Sequence, residues 1–224
     1  MSATFEQWLQ ASFDHAPPKS AKEEDWYWAE EFELFWDSLR LTDSVTVDYM
    51  TRLFLESEHL NVYSHEQVAE GIWFLIGGSS PSRSSQALLN PTVRLADRVA
   101  CIHTMAEFFR SFVMPSTPGL ADTDSDPFHI ACYMWWHILP LRPYRETPLR
   151  GEPELHEACL VAMSKLLELR SDVCRMSALH GLNHWHERYR GSVEAMVDTF
   201  LERARDITPQ IREYAVQARS GLCL

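Results

Sequence analysis

Ser64-His-Glu-Gln67-Val68-Ala-Glu-Gly-Ile-Trp-Phe-Leu-Ile76 opens on the S/T-x-x-E/Q pattern of a capping box and runs straight on into an apolar segment. In that pattern the Ser64 hydroxyl and the Gln67 side chain satisfy two backbone N–H groups that a helix start leaves open. The same signal stands at Ser20-Ala-Lys-Glu23. Asn90-Pro91, Asp126-Pro127 and Thr208-Pro209 add starts in which a capping side chain precedes a proline at the first helical position, where a missing N–H costs nothing.

Working outward from these starts, helical periodicity covers Phe5 to Phe13, Ser20 to Arg40, Val45 to Ser57, Val68 to Ile76 and Val93 to Val113. It resumes over Phe128 to Leu139, Leu155 to Leu169, Val173 to Tyr189, Val193 to Arg205 and Ile211 to Ser220. Sustained alternation of period two is nearly absent. The reading is an all-α protein of about nine or ten helices. Three polar breaks punctuate it: 77–85, 115–127 and 140–153. The middle break separates an acidic helical half, residues 1–114, from a second half, residues 128–224, within one continuous globular unit.

The C-terminal third carries an internal echo. Val173-x3-Ser177-Ala178-x2-Gly181 aligns with Ile211-x3-Ala215-Val216 and, across a stretched gap, Gly221. The segment from Val173 to Gly221 resembles HEAT-like repeats, with Arg212 after Ile211 where the pattern expects it and Cys174 at the matching earlier place. The resemblance implies a solenoid-like array of stacked helix pairs and an extended recognition surface. Ser177-Ala-Leu-His-Gly-Leu-Asn-His184 also resembles a motif of uncharacterised bacterial proteins, which implies no activity.

Within Ser20 to Arg40, a 100° rotation per residue places Trp28, Phe32, Phe35, Trp36 and Leu39 on one stripe, facing a core. Trp26, Glu30, Glu33 and Asp37 form the opposite stripe. An outward Trp among carboxylates suits a partner-binding surface, with Trp26 as anchor and the acids as rim. Charge supports a basic partner. The chain carries a net charge of −12, and residues 1–60 hold 13 of its 32 acidic side chains against four of its 20 basic ones. Such a balance repels nucleic acid and anionic membranes. No apolar run reaches the roughly 18 residues of a membrane span, and Met1 to Trp8 has no secretory pattern. The five cysteines, Cys101, Cys132, Cys159, Cys174 and Cys223, form no CxxC and read as reduced thiols in a cytoplasmic protein.

Two function classes follow. The first is a non-enzymatic protein–protein interaction module that needs no cofactor, in its most concrete form an immunity-type inhibitor of a basic toxin. The second is a metal-dependent enzyme. On one helix, His184 and Glu187 fall within about 40° of His180, the spacing that presents two imidazoles and a carboxylate to a divalent transition metal. Gly181 stands where a zincin motif needs its general base, so a further ligand must come from elsewhere, with His129, Cys132 and His137 as candidates. His186 points away from the pair. Asp122-Thr-Asp124-Ser-Asp126 has the opening spacing of a calcium loop, but Pro127 and Tyr133 occupy the places of its Gly and Glu. The Gly77-Gly78 loop matches no phosphate-binding fingerprint, and no G-x-S-x-G nucleophile motif occurs.

Overall fold

A computed structural model describes residues 2–18, 24–144 and 148–222. Those residues form ten α-helices and no strand. In chain order they are α1 (Phe5–Phe13), α2 (Glu30–Ser38), α3 (Asp43–Leu55), α4 (His65–Ile76) and α5 (Leu95–Phe108). They continue as α6 (Met114–Ser116), α7 (Pro127–Ile138), α8 (Pro153–Glu168), α9 (Asp172–Arg203) and α10 (Pro209–Ser220). No helix among the described residues is long and apolar enough to cross a membrane. The Ser20–Glu23 box and Cys223 lie outside the described residues.

Capping chemistry sets most helix starts. Ser64 and Gln67 close their box at the head of α4, and Thr4 with Gln7 closes a second one at α1. Asp126 accepts the Phe128 and His129 N–H groups above Pro127, and Thr208 accepts the Ile211 N–H above Pro209. Asn90 departs from expectation. Its carbonyl takes the backbone N–H and hydroxyl of Thr92 in a local turn, and α5 begins later, at Leu95. The Val93–Val113 segment also divides, because a π-helical turn over Phe109–Val113 joins α5 to α6 and turns Phe109 and Phe112 into the core.

The helix expected from Ser20 to Arg40 breaks at Ala29, whose ψ of 133° is extended. Trp26–Trp28 is a separate 3-10 turn ahead of α2. The break re-aims the indoles: Trp26 stacks on His15 at 3.7 Å and packs edge-on against Phe32, while Trp28 stands half-exposed. Trp36 and Leu39 are buried as the stripe requires, but Phe35 faces solvent.

One continuous apolar core runs from Phe5 to Ala218. Helix α7 lies inside it, sandwiched between α4 and α9. That placement buries both adjacent tryptophans. Trp135 meets Phe108 and donates to the Met105 sulfur, and Trp136 turns to the other side, against α9. Gly181 makes the second contact feasible, since a Cβ there would lie 2.6 Å from both the Trp136 Cβ and the Met163 sulfur.

Helix α9 is bent double. A straight run of its 32 residues would span about 48 Å, yet the Arg175 guanidinium donates to the Asp206 carbonyl at 2.8 Å. The reversal sits at Tyr189, with φ −125° and ψ 37°, at the boundary between the two segments that periodicity separates. The returning arm and α10 then pack along the first arm, tied by the Thr208–Asp172 and Arg219–Asp198 contacts.

Gly181→Ala should therefore force α7 and α9 apart. The expected loss is about 1–3 kcal/mol, seen as a fall of several degrees in the melting temperature. An unchanged melting temperature would contradict the close approach.

Candidate metal centre

The close approach of α7 and α9 brings together three imidazoles from residues up to 47 positions apart. His180 and His184 are one turn apart on α9, and His137 follows Trp136 on α7. Their facing nitrogens, His137 Nδ1, His180 Nε2 and His184 Nε2, converge: His137 to His184 is 2.8 Å and His180 to His184 is 3.2 Å. One ligand atom from each ring lies within 4.8 Å of the others. Tetrahedral coordination at the usual zinc–nitrogen length needs nitrogens roughly 3.3 Å apart. Two of the three separations are near that value, and the third lies within 4.8 Å.

The surroundings fix each ring. His180 is buried, stacks on Tyr133 at 3.8 Å, and meets the Tyr214 hydroxyl through Nδ1 at 2.9 Å. Tyr214 in turn meets Tyr133 at 2.7 Å. His184 Nδ1 faces Arg142 Nη2 at 3.1 Å. A guanidinium only donates, so His184 Nδ1 accepts and its proton sits on Nε2, aimed at His137. His180 Nε2 can then also accept, leaving its Nδ1–H to donate to Tyr214.

Burial holds all three rings neutral. Desolvation first, and then the neighbouring imidazoles and Arg142, push His180 down to about 3. Desolvation, Arg142 and His137 push His184 down to about 4. His137 is lowered by the same burial and by Arg142. Neutral imidazole is the form that ligates metal.

The centre lies between two surface grooves. His137 lines a groove of about 360 Å³ with Tyr27, Trp28 and the Gly77–Ser80 loop, which is anchored by the Gly78 N–H on the Ile138 carbonyl. His184 lines another, of about 630 Å³, with Arg142, Glu187 and Arg190. Tyr144 borders both.

The sequence-predicted residues are distributed differently. Glu187 is exposed in the second groove, outside the cluster, because it lies nearly two turns beyond His180 while the imidazoles turn inward to α7. His137 supplies the third nitrogen. His129 accepts the Asp122 N–H, and Cys132 is buried with its thiol far above its usual range. The acidic loop is spoken for as well: Asp122 binds Ser125 and the Asp124 N–H, and Asp126 caps α7. Glu30, Glu33 and Asp37 are all exposed on α2, without Trp26 beside them. Arg142 and Tyr214 were not singled out from the sequence; neither has a local motif, and only tertiary packing brings them to the rings. No protein-family model, curated protein or solved structure matches the chain.

Because the native rings bind protons less readily than the unfolded chain does, unfolding takes up protons below the ordinary histidine value of about 6.5. Their contribution to stability is complete above that pH and falls as pH drops toward 4 and 3. Chelator-treated protein should lose up to about 1.4 kcal/mol per pH unit for each such ring between roughly pH 6 and 5. Urea titrations showing constant stability over that window would contradict buried neutral imidazoles.

Proposed function

We propose that this chain is a metal-dependent enzyme whose centre is a divalent transition ion held by His137, His180 and His184. One observation carries the reading: three neutral imidazole nitrogens from two packed helices converge within 4.8 Å of one another, with His184 2.8 and 3.2 Å from the other two. Three protein ligands with an open fourth position is the catalytic format, in which the ion makes a bound water nucleophilic near neutral pH. The reaction class is hydrolysis or hydration. Arg142, in contact with His184 in this groove, favours an anionic substrate.

Tag-free protein equilibrated with zinc, manganese or iron should retain one ion per chain by elemental analysis. His137→Ala and His184→Ala should each abolish retention. Substoichiometric metal in the wild type, or full retention in both variants, would remove the reading.

Arg142 opposes loading. With metal on Nε2, neutral His184 carries its proton on Nδ1, and two donors then face each other across the Arg142 contact. The guanidinium must withdraw into the groove, where it already lies 4.5 Å from the Tyr144 ring centre. Arg142→Gln supplies an amide oxygen that accepts from Nδ1–H. It should tighten metal binding about tenfold, the lower end of what such supporting contacts contribute; competition with a fluorescent chelator measures this. Weaker binding would show that Arg142 supports the loaded state.

Recognition of a basic protein, such as a toxin, is a second reading favoured by a separate observation. Leu34 and Phe35 are exposed on α2 with Glu30, Glu33 and Asp37, and Trp28 is half-exposed in the turn before it. In this reading Trp28 takes the anchoring place that the sequence assigns to Trp26, and HEAT-like stacking in the C-terminal third provides the scaffold. Reversal of Glu30, Glu33 and Asp37 to Lys should abolish retention of a basic partner with the circular-dichroism signal unchanged. Equal retention would sink it.

A further inference from the structure

The fold places a further, differently built groove on the far arm of α9. It encloses about 750 Å³, within the range of small-molecule sites, between the end of α8 and residues 192–206. In a chain of net charge −12, four arginines line this one concavity: Arg170, Arg175, Arg203 and Arg205. Two carboxylates, Glu168 and Asp206, stand with them. The floor is apolar, formed by Leu167, Met196 and Phe200.

Arg175 distinguishes this groove from a solvated basic patch. Its side chain is 8% exposed, with Nη1 on the Asp206 carbonyl at 2.8 Å and the Asp172 carboxylate 3.9 Å away. Its Nε is buried with no hydrogen-bond partner. Leaving a buried charged donor unmatched is costly. The bend at Tyr189 is what brings the returning arm over this guanidinium, since Phe200 lies 5.9 Å from it.

We infer that the α8–α9 groove binds a small amphiphilic monocarboxylate, its head on the arginines around Arg175 and its alkyl tail on Leu167, Met196 and Phe200. The guanidinium fork matches a carboxylate in two-point geometry. Glu168 and Asp206 at the groove disfavour a doubly charged head, and the apolar floor disfavours a short hydrophilic one. The site is independent of the histidine centre.

Isothermal titration of the full chain with dodecanoate, below its micellar range, tests this. Acetate, dodecan-1-ol and dodecyl phosphate serve as the tail-less, uncharged and dianionic controls. One dodecanoate should bind per chain, at least about tenfold more tightly than any control. Ala195→Trp, at an exposed position on the groove, and the exposed pair Arg203→Glu with Arg205→Glu, should each weaken it by about tenfold or more, with unchanged circular dichroism. Arg175→Met should do the same, and the two surface variants keep the test decisive if that core substitution fails to fold. Absence of dodecanoate binding, equal affinity for dodecan-1-ol, or affinity unaffected by Ala195→Trp would overturn the inference. Preference for dodecyl phosphate would overturn the assignment of the head group.

Discussion

The contact between Gly181 and Trp136 is the constraint on which the rest of the site depends. Close packing of two helices is limited by the side chains between them, and here the absent Cβ lets the indole sit directly against the α9 backbone. His180 precedes Gly181 and His137 follows Trp136, so the contact that closes the core also sets the spacing of the imidazoles. The Ser177 hydroxyl, donating to the Cys132 carbonyl at 2.6 Å, ties the same two helices one turn earlier. Fold and chemistry share one interface.

Electrostatics then decides what that interface can do. Burying imidazoles beside a guanidinium removes their protons at neutral pH. A cluster of neutral rings has lone pairs to offer, and a tyrosine pair on one side holds His180 in a single orientation. Arg142 donates to His184 Nδ1 and so fixes the His184 proton on Nε2. The acidic α2 surface lies outside this network and leaves Leu34 and Phe35 exposed.

Local chemistry was legible in the sequence where it acts over a few residues. The Ser64 box, the Asp126-Pro127 and Thr208-Pro209 starts, and the i, i+4 pairing of His180 with His184 depend on short-range geometry and appear as read. The boundary near Tyr189 was also visible as a lapse in apolar periodicity. What depends on chain reversal was not. His137 joins the imidazole cluster through packing, Glu187 falls outside it for the same reason, and Arg142 arrives on a connector with no regular pattern. The exposure of Trp28 and the packing of Trp26 follow from one extended residue, Ala29, which periodicity cannot foresee because alanine favours helix. Arg175 carries no local motif that marks it out; its burial is a product of the bend in α9.

X-ray absorption at the zinc edge of zinc-loaded protein tests the central claim most directly. Three imidazoles at roughly 2.0–2.1 Å should give their characteristic multiple-scattering signal, with one further oxygen neighbour completing the shell. A shell dominated by sulfur near 2.3 Å, or by oxygen with no imidazole signature, would place the ion elsewhere and contradict a centre built from His137, His180 and His184.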